Sequence, residues 1–234
     1  MNEHASLALA TIAFVGTHFL MSHPYRVRLN QNFGEKGFTL LYSIVAFATL
    51  IWMILAWRSI NNSLPLWIAP LLWWSVASGI MLLALILLVG SFTKNPAFSH
   101  PGAEPAHATR PATGVFAITR HPMNWSFMVW ALVHISLWGS PRNLIVAGGI
   151  FILALFGSVG QDRKKRGLYG AAWRGWETRT SFIPFAALLG GKIPWRAAAP
   201  GWMPVIAGSI LWLAITWWHA PLVSPVGAIG RGIG

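Results

Sequence analysis

The chain has 234 residues, with 17 Lys and Arg against 5 Asp and Glu, 55% hydrophobic residues, 9% charged residues, 15 Trp and no Cys. Water-soluble domains carry about a quarter charged residues, so this composition excludes an ordinary soluble domain, and its hydrophobic content excludes a disordered or collagen-like chain. Without Cys there is no disulfide, Fe–S cluster, thiolate zinc or haem site, or Cys nucleophile, and a metal would have to be held by His, Met or oxygen.

Six stretches lack Lys, Arg, Asp and Glu: 4–25, 37–57, 66–90, 121–141, 143–160 and 201–219. A membrane-crossing helix needs about 20 mainly apolar residues. The expected architecture is therefore all-α, a single polytopic domain over 1–234 with about six transmembrane helices near 5–22, 38–57, 66–90, 123–139, 143–160 and 201–219. The N-terminus has no basic stretch and no small-residue cleavage site, so the first segment reads as a retained span. After His23-Pro24, the run Asn30-Gln31-Asn32 with Gly34 predicts a short polar turn before the second span. In the third span Ser75-x-x-x-Gly79 offers a small-residue face for close helix packing. The Pro-rich segment from Lys94 to Arg120 reads as a loop over the mouth of the bundle. From Arg163 to Trp202, Arg and Lys alternate with Tyr169, Trp173, Trp176 and Trp195, which predicts short helices lying at the membrane interface.

Fourteen of the 17 Lys and Arg fall in the loops after the first, third and fifth expected spans, leaving Arg58, Arg142 and Arg231 for the other side. The positive-inside rule then places those loops in the cytoplasm and both termini outside it, for a multi-pass protein of the inner membrane. The same asymmetry accounts for the net charge of +12 without a nucleic-acid partner.

Ionisable residues within hydrocarbon are costly and mark sites by default. His18 stands eight residues before Arg26 and His134 fourteen after Arg120, roughly 12 and 21 Å along a helix, so both are deep. Each imidazole has apolar and aromatic helical neighbours, such as Phe14 for His18 and Trp130 and Trp138 for His134. They read either as packing residues bonded to a neighbouring helix or, as a pair, as bis-histidine ligands of a haem iron; non-haem iron would want carboxylates, which are scarce here. In Thr119-Arg120-His121-Pro122, Pro122 suits a first helical turn. Arg120 and His121 are then either interfacial residues or a grip for a propionate, phosphate or carboxylate at a helix N-terminus. Asp162, before Arg163-Lys164-Lys165-Arg166, reads as a salt bridge within that basic loop or as a catalytic carboxylate. Met21, Met123 and Met128 read as core filler. His23, His100, His107 and His219 carry no assigned role.

The run Gly114-Val-Phe-Ala-Ile-Thr-Arg120-His121-Pro122-Met-Asn-Trp125, continuing to Trp130-Ala-Leu-Val-His134, resembles the signature of the NnrU family of bacterial membrane proteins, which is similar to the zeta-carotene isomerases of plants and cyanobacteria. Gly16-Thr17-His18, Gln161-Asp162-Arg163 and Arg179-Thr180-Ser181-Phe182-Ile183-Pro184-Phe185 extend the resemblance in the same order. It implies haem b held by two histidines at the positions of His18 and His134. Arg120, His121 and Arg26 would then be candidates for the cofactor's propionates. The isomerases have a Cys three residues before the second ligand, where this chain has Ala131, so a Cys-based ligand exchange is unavailable. For function, the resemblance implies isomerisation of a lipophilic polyene, or a role in nitric oxide and denitrification metabolism. The Arg-His-Pro motif and the tail with Tyr169 and Trp173 also resemble the isoprenylcysteine and phospholipid methyltransferases that bind S-adenosylmethionine; those show paired glutamates where this chain has Gln161-Asp162. A non-enzymatic membrane accessory protein is the third expectation. The expected partners are the lipid bilayer and a lipophilic small molecule or nitric oxide.

Overall fold

The computed structural model describes residues 2–96 and 108–219. His100, His107 and Arg231 lie outside them. Among the described residues the fold is all-α: α1 (Glu3–Ser22), α2 (Arg26–Ser59), α3 (Leu71–Gly90), α4 (Val115–Ile118), α5 (Pro122–Leu137), α6 (Pro141–Tyr169), α7 (Ala171–Arg179), α8 (Ala186–Leu189), a 3-10 turn (Trp195–Ala198) and α9 (Trp202–His219). Four of these helices, α1, α2, α3 and α6, are long and apolar enough to cross a membrane. The count of about six spans stands at four by this measure: α5 has 16 residues, short of the roughly 20 a bilayer core asks for, and α9, with 18, is not among the four. The chain falls into two compact units, one of residues 1–69 and 134–160, the other of 70–133 and 161–234.

In the first unit, Asn2 caps α1 by accepting a hydrogen bond from the His4 backbone N–H at 3.1 Å. Leu7, Ala10 and Phe14 on α1 and Met53, Ala56 and Ile60 at the end of α2 share one buried cluster, with Ile145, Val146, Ile150 and Leu153 of α6 packed against it. Both triplets have the i, i+3, i+7 spacing of a single helix face. Gly149 lets α6 approach closely: a Cβ there would strike the Thr11 side chain. The expected turn at Asn30–Gly34 falls at Gly34, where two helical segments of α2 meet at φ 67°, ψ 174°, a left-handed φ that glycine adopts without a Cβ clash; a further turn at His23–Tyr25 separates α1 from α2. At the opposite end of the unit, Leu66, Trp67 and Ala69 pair with the backbone of Leu137 and Gly139. There Arg142 donates to the Ile60 carbonyl at 3.1 Å, with its guanidinium 4.4 Å from the Trp57 ring centre.

In the second unit α3 and α9 run antiparallel. Trp212 Nε1 donates to the Ser78 carbonyl at 2.9 Å, and Gly208 lies against the Ile86 backbone. The expected small-residue face of Ser75 and Gly79 is not used: Ser75 is exposed, and a Cβ on Gly79 would meet nothing within 4 Å. The contact falls instead on the adjacent stripe that buries Ala77, Ser78, Ala84 and Leu85, because the Trp212 indole reaches the one face where a hydroxyl and a carbonyl can accept its N–H. A second apolar cluster joins Val115, Phe116 and Ala117 of α4 to Trp173 and Trp176 of α7 and Ala187 and Leu188 of α8, with Leu87 of α3 packed against it. The short helices expected between Arg163 and Trp202 are thus α7, α8 and the 3-10 turn, fixed near the C-terminal end of α3.

A Cβ at Gly208 would sit 3.0 Å from Ile86 Cα, which backbone cannot yield. Gly208→Val should therefore lower the thermal midpoint of the detergent-solubilised protein by an amount corresponding to about 1–3 kcal/mol of overpacking. Gly79→Ala, in open space, should leave that midpoint in place.

Candidate functional site

Two polar constellations stand out, one in each unit. In the second unit Thr119, Arg120 and His121 form the lead-in to α5, with Thr119 and His121 buried. Thr119 Oγ1 donates to the Phe182 carbonyl at 2.8 Å, and the Arg120 backbone N–H donates to the Ser181 carbonyl at 2.9 Å. Trp125 Nε1 also donates to the Phe182 carbonyl at 2.8 Å. The segment Ser181-Phe182 therefore clamps the start of α5 through three separate donors.

Onto this clamp α6 delivers Asp162. Arg120 Nε donates to Asp162 Oδ2 at 2.8 Å, and Nη2 lies 2.7 Å from the same oxygen. His121 Nε2 lies 3.0 Å from Asp162 Oδ1, while its Nδ1 lies 3.1 Å from Gln161 Oε1. The His121 side chain is fully buried and that of Asp162 is 6% exposed. Glu177 of α7 completes the cluster, 3.9 Å from Arg120 and in a two-pronged pair with Arg166 at 2.8 and 2.7 Å. The Phe182 ring faces both side chains, 5.6 Å from the Arg120 guanidinium and 5.4 Å from the His121 ring. Asp162 lies beyond the apolar run 143–160. Burial works against its charged form, yet the hydrogen bonds from His121 and Arg120 outweigh burial and hold its carboxyl below the ordinary carboxylate range.

This corrects the expectation for Asp162. Its carboxylate is hydrogen-bonded by Arg120 and His121, some forty positions earlier in the chain. Gln161-Asp162, the pair standing where the methyltransferases have glutamates, is engaged with these two side chains.

The second constellation lies in the first unit around His18. Its Nδ1 is 2.6 Å from the Phe14 carbonyl, so the ring donates there and presents Nε2 with its lone pair. The ring is 4.3 Å from that of Phe14 and 5.4 Å, edge-on, from that of Tyr42. Tyr42 contacts Phe38 at 5.9 Å, and the Arg26 guanidinium sits 4.9 Å from the Phe38 ring centre. Arg26 and His18 are thereby joined through two aromatic rings. An apolar groove of about 420 Å³ runs between α1 and α6, lined by Thr11, Val15, Gly16, Gly148, Gly149 and Ile152 among others, within one turn of His18 along α1.

His134 belongs to the same unit, half-buried on α5, where its backbone carbonyl accepts from Asn143 Nδ2 at 2.8 Å. Met128 is core, 1% exposed. Among the described residues no three His, Cys, Asp or Glu side chains converge. Sequence reasoning missed Tyr42 and Phe38, although their 38/42 spacing on one helix face was visible. It also missed Glu177 and Phe182, which only the tertiary fold brings in.

These elements define an all-helical membrane protein with a buried ion cluster around Asp162 and a part-buried histidine, His18, on a helix long enough to cross a membrane. The chain belongs to the NnrU family: the family model described as NnrU protein matches residues 6–226. It is also similar to the chloroplastic 15-cis-zeta-carotene isomerase of Zea mays, 37% identical over 81 residues, which are 34% of this chain and 22% of that protein. The corresponding isomerase of Arabidopsis thaliana is 38% identical over 81 residues, with the same shares. The match spans about a fifth of the length of these curated relatives. No solved structure matches.

Asp162→Asn removes the counter-charge of the buried Arg120 guanidinium and the carboxylate that bonds His121, and loss of one partner of a buried pair costs about 3–5 kcal/mol. We expect the variant to show a much larger drop in thermal midpoint than Glu177→Gln, whose Arg166 partner is half-exposed. Because the Asp162 carboxyl is held low, the cluster's contribution should be present at neutral pH. It should fade as pH falls below the ordinary carboxylate range, an acid dependence that Asp162→Asn should flatten.

Proposed function

We propose that this protein acts within the bilayer as a cis–trans isomerase of a lipophilic polyene, with haem b held by His18 and His134. The observation that carries this reading is the attachment of His18: its Nδ1 is tied to the Phe14 carbonyl, which fixes the ring and leaves Nε2 as the ligating atom, as in histidines that bind metals. A porphyrin brings four nitrogen donors of its own, so two imidazoles suffice in a chain without Cys. Bound haem iron supplies a redox-active Lewis acid able to weaken the double-bond character of a conjugated chain.

The protein's residues provide the rest. Phe14 and Tyr42 flank the His18 ring and give it an aromatic setting. Arg26, over Phe38, is the cation nearest this cluster by direct contact and is assigned to a propionate. Arg120 and His121 are engaged by Asp162, and in this reading they hold the start of α5 in place. The apolar groove between α1 and α6 suits a long hydrocarbon chain near His18. Support also comes from the similarity to proteins named 15-cis-zeta-carotene isomerase. The charge distribution supports an inner-membrane protein with its basic loops in the cytoplasm and its termini on the other side.

The full-length protein, purified after haem-sufficient expression, should show a Soret band that shifts on reduction. His18→Ala and His134→Ala should each abolish or displace it. Absence of the band from the unmodified protein, or a band unchanged in His18→Ala, overturns the haem assignment. Reduced protein that takes up nitric oxide yet leaves a cis polyene unchanged would instead favour gas handling, and heat released on titration with S-adenosylmethionine would favour methyl transfer.

A further inference from the structure

The layer formed by α7, α8 and the 3-10 turn carries an exposed surface that neither constellation uses. Its inner side is buried: Ala187, Leu188 and Ile193 enter the cluster with Trp173 and Trp176. Its outer side is the reverse of what a water-facing layer needs. Leu189 is 76% exposed, Ile183 63%, Trp195 58% and Phe185 44%. The Phe185 and Trp195 rings stack with centres 6.4 Å apart at 21°, so two exposed aromatics form one blade.

Phe185 is also conformationally strained. It stands at φ 65°, in the left-handed region, where a residue with a Cβ is disfavoured and glycine is not. The chain thus holds a bulky ring outward at a position that would fold more easily without it. Beside the blade, Lys192 and Arg196 are exposed, and among the described residues neither makes an ion pair.

The height of this surface follows from its attachments within the same unit. Leu87, three residues before the end of α3, packs against the cluster that anchors the layer. The Gly114 N–H donates to the Ala197 carbonyl at 2.7 Å. Arg196 precedes Trp202, the first residue of α9, by six positions, and α9 lies along α3. The layer is therefore at the end of a membrane-crossing helix, where hydrocarbon gives way to headgroups. Aromatic and aliphatic side chains with unpaired cations at that level match the two halves of an anionic lipid, acyl chain and headgroup.

We propose that Ile183, Phe185, Leu189 and Trp195, with Lys192 and Arg196, form a foot that inserts into the membrane interface and binds anionic phospholipid. The apolar blade enters between acyl chains, and the two cations hold the phosphate. Charge complementarity selects an anionic lipid over a zwitterionic one.

The test uses the full chain in a neutral detergent. Its thermal midpoint is followed with added phosphatidylglycerol, phosphatidylcholine or glycerol 3-phosphate. Phosphatidylglycerol should raise the midpoint by several degrees more than phosphatidylcholine, and glycerol 3-phosphate should have no effect. The pair Lys192→Ala and Arg196→Ala should erase the difference between the lipids while leaving the lipid-free midpoint in place. Phe185→Gly is the second arm: relief of the left-handed strain should keep or raise the lipid-free midpoint, yet the response to phosphatidylglycerol should fall. Equal responses to both lipids, a full effect of glycerol 3-phosphate, or an unaltered lipid difference in the double variant would each overturn the proposal. So would a Phe185→Gly protein that is less stable without lipid and responds to lipid as before.

Discussion

The carboxylate of Asp162 is the interaction on which the second unit depends. The whole chain has five acidic residues for seventeen Lys and Arg, so negative charge is the scarce component, and a buried Arg without it would be untenable. Two of those five, Asp162 and Glu177, are committed to one cluster. Asp162 accepts from Arg120 on one oxygen and from His121 on the other, and this couples the last turns of α6 to the lead-in of α5. Phe182 ties in the following segment through its carbonyl and its ring. Such a cluster fixes geometry more than it adds net stability, since the desolvation of each charge offsets much of the attraction.

Away from this cluster the same scarcity is met within single helices. Thr11, Thr17, Thr49, Ser158 and Thr216 all donate to carbonyls one turn earlier on their own helix. His18 follows the same rule through its ring nitrogen. In hydrocarbon a hydroxyl without a partner costs several kcal/mol, roughly 4–8 when nothing can accept from it, and the preceding turn always offers an acceptor. Polar residues of the spans are thereby satisfied locally and leave the helix–helix contacts to apolar and small side chains. The exceptions are informative: Trp212 reaches across to Ser78, and Trp67 to the Ile135 carbonyl. Both place a rigid indole where two segments must keep their register.

The legible part of the fold follows from this division. Charge-free runs marked the helices because hydrocarbon tolerates little else, and the aromatic–basic mixture after Asp162 marked the surface layer. Helix ends were less legible. Gly34, in the polar run read as a turn, breaks the helix at a positive φ as expected, whereas the turn at His23–Tyr25 that ends α1 carried no such polar signal. The fourth apolar run gave a helix of 16 residues, since Pro122 sets where α5 begins and Pro141 already opens α6. At the site, His18, Arg120 and His121 were visible as polar residues out of place in an apolar context. Their partners were not, because Asp162 had four cations beside it in sequence and nothing local distinguished those from Arg120 forty-two positions away.

Glycines show why packing is the last thing a sequence yields. Gly16, Gly79 and Gly148 meet nothing within 4 Å, whereas Gly139, Gly149 and Gly208 admit a Trp67 ring, a Thr11 methyl and the Ile86 backbone. All six occupy apolar or helical contexts, and composition cannot separate them. What separates them is the shape of the opposing residue: a close approach forms where a branched or aromatic side chain, or bare backbone, fills the space a Cβ would take. Gly16 and Gly148, left unfilled, instead line the groove between α1 and α6 beside Gly149. The same residue type therefore closes one part of that helix pair and leaves a neighbouring part open. That is the arrangement a bilayer protein needs if two helices are to be held together and still receive an apolar chain between them.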